Sequence, residues 1–222
     1  MKNITTPHDT TVARQNMIDG QLRPNRITDK ALLARFAEVK REDFVPAVAC
    51  GSAYADAPVA LGNGREMVSP LLVGHLIQGL ELLPTHTVLV AAGATGYSSA
   101  LMAGLAGNVV MVEADKALMA VAKKMLKDFG NVTLVHGAVE AGAPQHGPFE
   151  AVLVDGAVEN VPPTLLAQLK NGGRLAVVRP GADGVLEACI YAKHGNTVVE
   201  QALFETKGTV LPSLQVAERF VF

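Results

Sequence analysis

Residues Val88-Leu89-Val90-Ala91-Ala92-Gly93-Ala94-Thr95-Gly96-Tyr97 join an apolar run to a small-residue turn, and a helix-compatible segment, 98–106, follows. A second apolar run, Val109 to Val112, leads into Glu113, seventeen positions after Gly96. Strand, small-residue turn, helix, strand and acid is the layout that holds a nucleotide-like cofactor at the ends of parallel strands. Small residues let the backbone approach the ligand, and the acid accepts hydrogen bonds from a ribose diol. The turn is nevertheless poor in glycine, and its first strand carries no acid. Two further places could do chemistry: the 61–70 segment with Ser69, and Asp155 at the end of the fourth strand. Each has a plainer explanation. Gly93 and Gly96 can serve only a tight turn, Glu113 can begin the next helix, where the dipole favours an acid, and Asp155 can cap the segment from Gly156 to Pro162.

Other chemistries find little support. The six histidines never fall three or four residues apart, and none pairs with a nearby cysteine, so a metal centre is not expected. Ser98, Ser99 and Ser69 lack the G-x-S-x-G elbow of a hydrolase. No G-x-x-x-x-G-K-[ST] phosphate loop is present.

The elements that must position these residues can be read from periodicity. Apolar positions predict a helix over 10–22 that stops at Pro24, with Val12, Met17, Ile18 and Leu22 on its inner face. Asp29 is placed to cap a second helix running through Val39, with Leu32, Leu33 and Phe36 inward. An irregular stretch follows Asp43-Phe44-Val45-Pro46. Residues 61–70 read as a loop, after which Pro70 opens a helix to about Leu83. Strands are expected at 87–92, 108–113, 131–135, 150–155 and 173–179, with helices at 97–106, 115–128 and 162–170. Continuous apolar runs such as Ala151-Val152-Leu153-Val154 suit a parallel sheet covered on both faces. Segments 186–192 and 197–204 flank His194-Gly195-Asn196 and predict a hairpin. Residues 1–9 read as a loose tail and 219–222 as a closing strand. The expected fold is therefore a doubly wound α/β sheet with a helical N-terminal appendage and an antiparallel C-terminal edge. Its parts are 1–80, appendage and substrate loop, and 81–222, a Rossmann-like core, together one compact unit.

Composition narrows the class of partner. The chain has 222 residues, 49% of them apolar, enough for a full core. Nineteen Lys and Arg against 21 Asp and Glu give no general attraction to nucleic acid or membranes, and 5% aromatics without tryptophan gives no base-stacking surface. No apolar run reaches the ~18–20 residues of a membrane span, and the polar start, Met1 to Arg14, is unlike a secretory signal. Cys50 and Cys189 fit no motif and read as buried thiols in a reducing compartment, so the cytoplasm is expected.

Several segments, taken in order, resemble the protein-L-isoaspartate O-methyltransferases. They are Arg14 to Leu22 with Ile27-Thr28-Asp29, Phe44-Val45-Pro46, Ala53-Tyr54-Ala55-Asp56-Ala57-Pro58, Leu61-Gly62-x-Gly64, the Val88–Tyr97 turn, and Asn171-Gly172-Gly173-Arg174-Leu175. The resemblance extends to about residue 180. It implies a class I methyltransferase fold, S-adenosylmethionine (SAM) as cofactor, and methyl esterification of the isoaspartyl carboxylate of damaged proteins, a repair reaction. On this reading Val90, Ala92, Gly93, Gly96, Tyr97, Glu113, Gly137 and Ala138 line the cofactor, Arg65, Met67, Val68 and Asp155 face the substrate, and Ser69 is the candidate catalytic hydroxyl.

The departures from the family pattern are specific. Val90 replaces the acid that ends the family's strand, and Ala92 and Ala94 replace the first two glycines of Gly-x-Gly-x-Gly. An alanine held at positive φ costs about 1 kcal/mol, and a lost charge-assisted contact about 1.5–3 kcal/mol, together about a hundredfold in SAM affinity. Gly137-Ala138 replaces the family's Gly-Asp at the adenine. In the substrate loop Arg65-Glu66-Met67-Val68-Ser69-Pro70 replaces Gln-Thr-Ile-Ser-Gln-Pro, so the hydroxyl position is Val68 and Ser69 serves only if the loop slips by one residue. Asp155 places an acid where the isoaspartyl carboxylate is expected, a repulsion that Arg65 could neutralise. Weak or absent methylation of isoaspartyl peptides is the expectation. The alternatives are a binding or regulatory protein that keeps the fold without turnover, and a small-molecule methyltransferase acting on another carboxylate.

Overall fold

The structure, a computed structural model, describes residues 10–214. The tail expected over 1–9 and the strand expected over 219–222 lie outside the described residues.

Helix α1 (Thr11–Met17) continues through a five-residue π turn (Ile18–Leu22), so the helical stretch ends where Pro24 requires. Met17, Ile18 and Leu22 are buried, whereas Val12, assigned to the same inner face, is 64% exposed. The π turn rotates the face that the sequence period projects. In α2 (Lys30–Glu38) the Asp29 carboxylate accepts from the N–H groups of Ala31 and Leu32 at 2.8 and 3.0 Å, and Leu32, Leu33 and Phe36 are buried. Two 3-10 segments, Arg41–Phe44 and Ala47–Ser52, complete the irregular region.

The segment expected as a loop is instead an antiparallel hairpin, β1 (Val59–Gly62) with β2 (Arg65–Met67). Asn63 and Gly64 at its tip have φ of 53° and 69°, the left-handed pair that an Asn-Gly hairpin turn demands. That signal was present in the sequence, but the strands beside it are too short to show alternation. Helix α3 (Pro70–Gly79) follows with Ser69 as its N-cap and stops four residues short of Leu83.

The core then alternates: β3 (Thr87–Ala91), α4 (Tyr97–Ala103), β4 (Asn108–Glu113), α5 (Lys116–Met125), β5 (Val132–His136), β6 (Phe149–Ala157), α6 (Pro163–Ala167), β7 (Leu169–Pro180), β8 (Leu186–His194) and β9 (Thr197–Glu205). The helix expected over 162–170 is one short turn, because Leu169 already pairs with Phe149 and begins a long strand. The sheet runs β5-β4-β3-β6-β7-β8-β9, parallel through β7 and antiparallel at β8 and β9. From β3 the chain proceeds outward through β4 and β5, then returns to the other side of β3 as β6. The connections therefore diverge at the C-terminal end of β3, where an open α/β sheet gathers ligands. Alternate strand residues feed two cores: Val88, Val90, Met111 and Leu153 on one face, and Leu89, Val110, Val112 and Val152 on the other. Burial on both faces explains the unbroken apolar runs. Beyond β9, Leu211 N–H donates to the Ala157 carbonyl at 2.8 Å, so the chain folds back across the end of β6.

Candidate functional site

The turn after β3 has the left-handed backbone of a glycine turn, with alanine at two of its three positive-φ positions. Ala92, Ala94 and Gly96 have φ of 61°, 51° and 98°. The left-handed region costs an L-residue about 1–2 kcal/mol, so the two alanines hold strain that the surrounding hydrogen bonds must offset. Gly93 answers a different need: a Cβ there would lie 2.5 Å from Met111 Cγ on β4. A Cβ on Gly96 would lie 2.6 Å from Leu126 beyond α5, which brings α4 and α5 together at the turn. Gly93 N–H donates to the Val112 carbonyl at 3.1 Å and Gly96 N–H to the Gly93 carbonyl at 2.8 Å. Every residue from Ala91 to Ala100 is buried. Val90 lies wholly inside, between Met111 and Leu153 of the flanking strands.

Glu113 ends β4 and is 0% exposed. Its Oε2 accepts from Ala94 N–H at 2.8 Å and its Oε1 from Asp115 N–H at 2.9 Å. Arg65 Nη1 donates to both oxygens, at 2.9 and 3.0 Å, and Arg65 Nη2 donates to the Ala92 carbonyl at 2.8 Å. A carboxylate has about four lone-pair directions, and all four are engaged. Arg65, expected on the substrate side, thus lies across the turn and the acid together. Its Nε is buried and has no hydrogen-bond partner among the described residues, as is true of the hydroxyls of Thr95 and Ser99. Asp115 caps α5 through Ala117 and Leu118, and its other oxygen accepts from Asn63 at the hairpin tip at 2.8 Å. Glu113 therefore precedes the cap and does not itself begin the helix.

Asp155 belongs to β6 and does not cap the segment after it. Its carboxylate accepts from Ser98 Oγ at 2.6 Å. Burial pushes the Asp155 carboxyl above its ordinary range, against the pull of Ser98 and of the Arg65 and Arg41 guanidiniums. Arg41, which sequence reasoning missed, is fully buried. It donates to the carbonyls of Ala53 at 2.7 Å and Val68 at 2.6 Å, and lies 4.9 Å over the Tyr97 ring. Burial lowers its pKa and raises that of Tyr97 to about 12. Arg41 thereby ties the segment that carries Val68 to the turn after β3. No motif marks it; only its position after the Asp29-capped helix could have drawn notice.

The remaining assigned residues are spread around this centre. Val68 and Ser69 line a small pocket with Glu66, Gly156, Lys207 and Leu211, whose enclosed space of about 20 Å³ is room for one water. The Ser69 hydroxyl accepts from Leu72 N–H at 3.3 Å. Met67 is buried in the core, across from Val59. Gly137 and Ala138 follow β5, where Gly137 N–H donates to the Glu113 carbonyl at 3.1 Å and Ala138 is exposed. Cys189 is buried as expected, but Cys50 is only half-buried, and both are free thiols. No helix among the described residues is long and apolar enough to cross a membrane.

Residues 13–207 match the family model described as Protein-L-isoaspartate(D-aspartate) O-methyltransferase (PCMT). A protein-L-isoaspartate O-methyltransferase of Aliivibrio fischeri (strain MJ11) is 36% identical over 167 residues, 74% of this chain and 80% of the relative. One from Methanoregula boonei is 32% identical over 202 residues, 90% of this chain and 93% of its own. Among solved structures, a protein-L-isoaspartate O-methyltransferase superposes with a TM-score of 0.77 at 25% identity, over 90% of this chain and 67% of that one. A beta-aspartate methyltransferase (PCMT) from Plasmodium falciparum in complex with S-adenosyl-L-homocysteine shares the fold, with a TM-score of 0.72 at 18% identity, over 91% of this chain and 98% of that one.

Proposed function

The chain belongs to the protein-L-isoaspartate (D-aspartate) O-methyltransferase family, and from this we propose that it esterifies a protein carboxylate with the methyl group of SAM. The observation that carries the reading is Glu113: a buried carboxylate at the end of β4, held by one side-chain donor, Arg65 Nη1, and two backbone N–H groups, beside a turn with positive φ at 92, 94 and 96. The buried, unpartnered hydroxyls of Thr95 and Ser99 add hydrogen-bonding capacity around the same turn, so the residues present fit the group. Glu113 would accept from the ribose hydroxyls. Ala92 to Tyr97 would line the methionine end, and Gly137 and Ala138 the base. Val90 would contribute only through packing. Bound SAM supplies an electrophilic methyl on a sulfonium.

The protein's part is to position and to exclude water. The acceptor carboxylate, with an ordinary pKa of about 4, is ionised at neutral pH and needs no general base. In-line placement alone can contribute about 7–11 kcal/mol. Val68 and Ser69, which line the small pocket, would meet the acceptor. The acceptor we infer, from the activity named for the relatives, is an isoaspartyl residue in a damaged protein, the reaction being repair. The free thiols and near-balanced charge support a cytoplasmic setting with neither nucleic acid nor membrane as partner.

The test is tritiated methyl transfer to an isoaspartyl peptide, with the aspartyl peptide as control. We expect label on the isoaspartyl peptide alone, at a low rate, because Val68 brings no hydroxyl and Asp155 adds negative charge where that anion would sit. A second reading, a family member that binds a partner without turnover, is favoured by the occupied Glu113. Label on neither peptide, with no heat on titrating S-adenosylhomocysteine, would decide for it.

A further inference from the structure

The hairpin of β1 and β2 forms a sheet of its own and shares no ladder with the seven-stranded sheet. An isolated two-stranded hairpin is marginal in water, so contacts elsewhere must hold it. Two of them span to the far side of the cofactor turn: Asn63 Nδ2 to Asp115, and Arg65 to Glu113 and Ala92. Between them they reach the acid that would meet the ribose, the helix cap after it, and the carbonyl of a turn residue. Arg65 Nη1 meets both Glu113 oxygens, the acceptors that a ribose diol would use, and the guanidinium carries the charge that a buried carboxylate requires. The closed arrangement is incomplete, however. Among the described residues Arg65 Nε is buried without an acceptor. The tip, 62–64, is exposed, whereas Val59 and Met67 at the base are packed in the core, so the movement required is that of the tip and of the Arg65 side chain.

We propose that the 59–67 hairpin is a strap whose Arg65 occupies the ribose position of the protein's own cofactor site, so that SAM binds by displacing Arg65 from Glu113. The proposal rests on the reading of SAM as cofactor. It makes Arg65 an internal competitor and Asn63 the clasp that keeps it seated. A competitor of this kind lowers apparent affinity by the fraction of molecules that are open.

Calorimetric titration with S-adenosylhomocysteine tests it, using the full chain and the variants Arg65→Ala, Arg65→Lys and Asn63→Ala. We expect Arg65→Ala to bind about tenfold tighter or better, and Arg65→Lys, which keeps charge but loses the fork, to gain less. Asn63→Ala, an exposed change that leaves Glu113 untouched, should gain about threefold. Should the Arg65 variants fail to fold, the unmodified protein still decides: its Arg65 guanidinium NMR signals must shift as S-adenosylhomocysteine saturates. Equal affinity in wild type and folded variants, or signals that stay fixed at saturation, overturns the strap and leaves the methyltransferase reading standing. Absence of binding by wild type and by Asn63→Ala alike overturns both.

Discussion

At the scale of single residues, the site is governed by charges taken out of water. Arg41, Arg65, Glu113 and Asp155 are all buried around one turn. Glu113 is saturated with donors, whereas Asp155 has a single hydrogen bond, from Ser98. Its carboxyl is therefore raised by burial, and the sign of its effect on stability follows. A raised carboxyl favours the fold while protonated, below its ordinary pKa of about 4. That contribution is lost as pH rises through the higher folded value. Asp155→Asn, an isostere of the protonated form, should leave stability unchanged at pH 3 and increase it at pH 7. Denaturant midpoints at the two pH values measure this. A loss at pH 7 would mean that the two arginines need the Asp155 charge more than burial penalises it. Introducing the family's acid at Val90 is a different matter, since that side chain lies wholly between Met111 and Leu153 and would bury an unpaired carboxylate.

At the scale of elements, the turn between β3 and α4 is where helix packing and left-handed backbone meet. Gly96 has φ of 98° and would place a Cβ 2.6 Å from Leu126. Gly96→Ala should therefore cost about 2–4 kcal/mol, from left-handed strain together with overpacking. It should also separate α4 from α5 and loosen the Glu113 strand end. Equilibrium unfolding gives the cost, and a value under 1 kcal/mol would show that Leu126 yields freely. The hairpin carries a lesson of another kind. Asn63-Gly64 is a strong turn signal, yet four- and three-residue strands leave too little alternation for the segment to read as anything but loop. Helix α6 was overestimated for the converse reason: Leu165, Leu166 and Leu169 hold a helical period, but Leu169 is recruited by Phe149 of the neighbouring strand.

At the scale of the whole molecule, the appendage and the Rossmann-like sheet share a core. Met17, Leu22 and Phe36 from the N-terminal helices fall in one apolar cluster with Val90, Leu101 and Ile190. Arg35 donates to the Ala100 carbonyl at 3.0 Å, and Arg41 reaches across to the Tyr97 ring. We propose that residues 1–80 and 81–222 unfold as one cooperative unit, because neither part can bury its apolar face alone. Tyrosine fluorescence and far-ultraviolet circular dichroism should report coincident denaturant transitions. Two separated midpoints would instead make the appendage an independent domain.

The succession of strands along the core, the capping of α2 by Asp29, the turn after β3 and the acid closing β4 are legible in the sequence, because each rests on local spacing or on a side chain bonding within three residues of itself. The family was legible for the same reason: its segments keep their order and their turn chemistry. What only the tertiary structure decided is which charges meet. Arg65 and Glu113 are 48 residues apart and Arg41 and Val68 are 27 apart, and no period in the sequence couples them. An arginine in a polar loop and an arginine over a buried carboxylate are the same letter. The folding of the hairpin back over the strand ends is what brings Arg65 onto Glu113 and the Ala92 carbonyl.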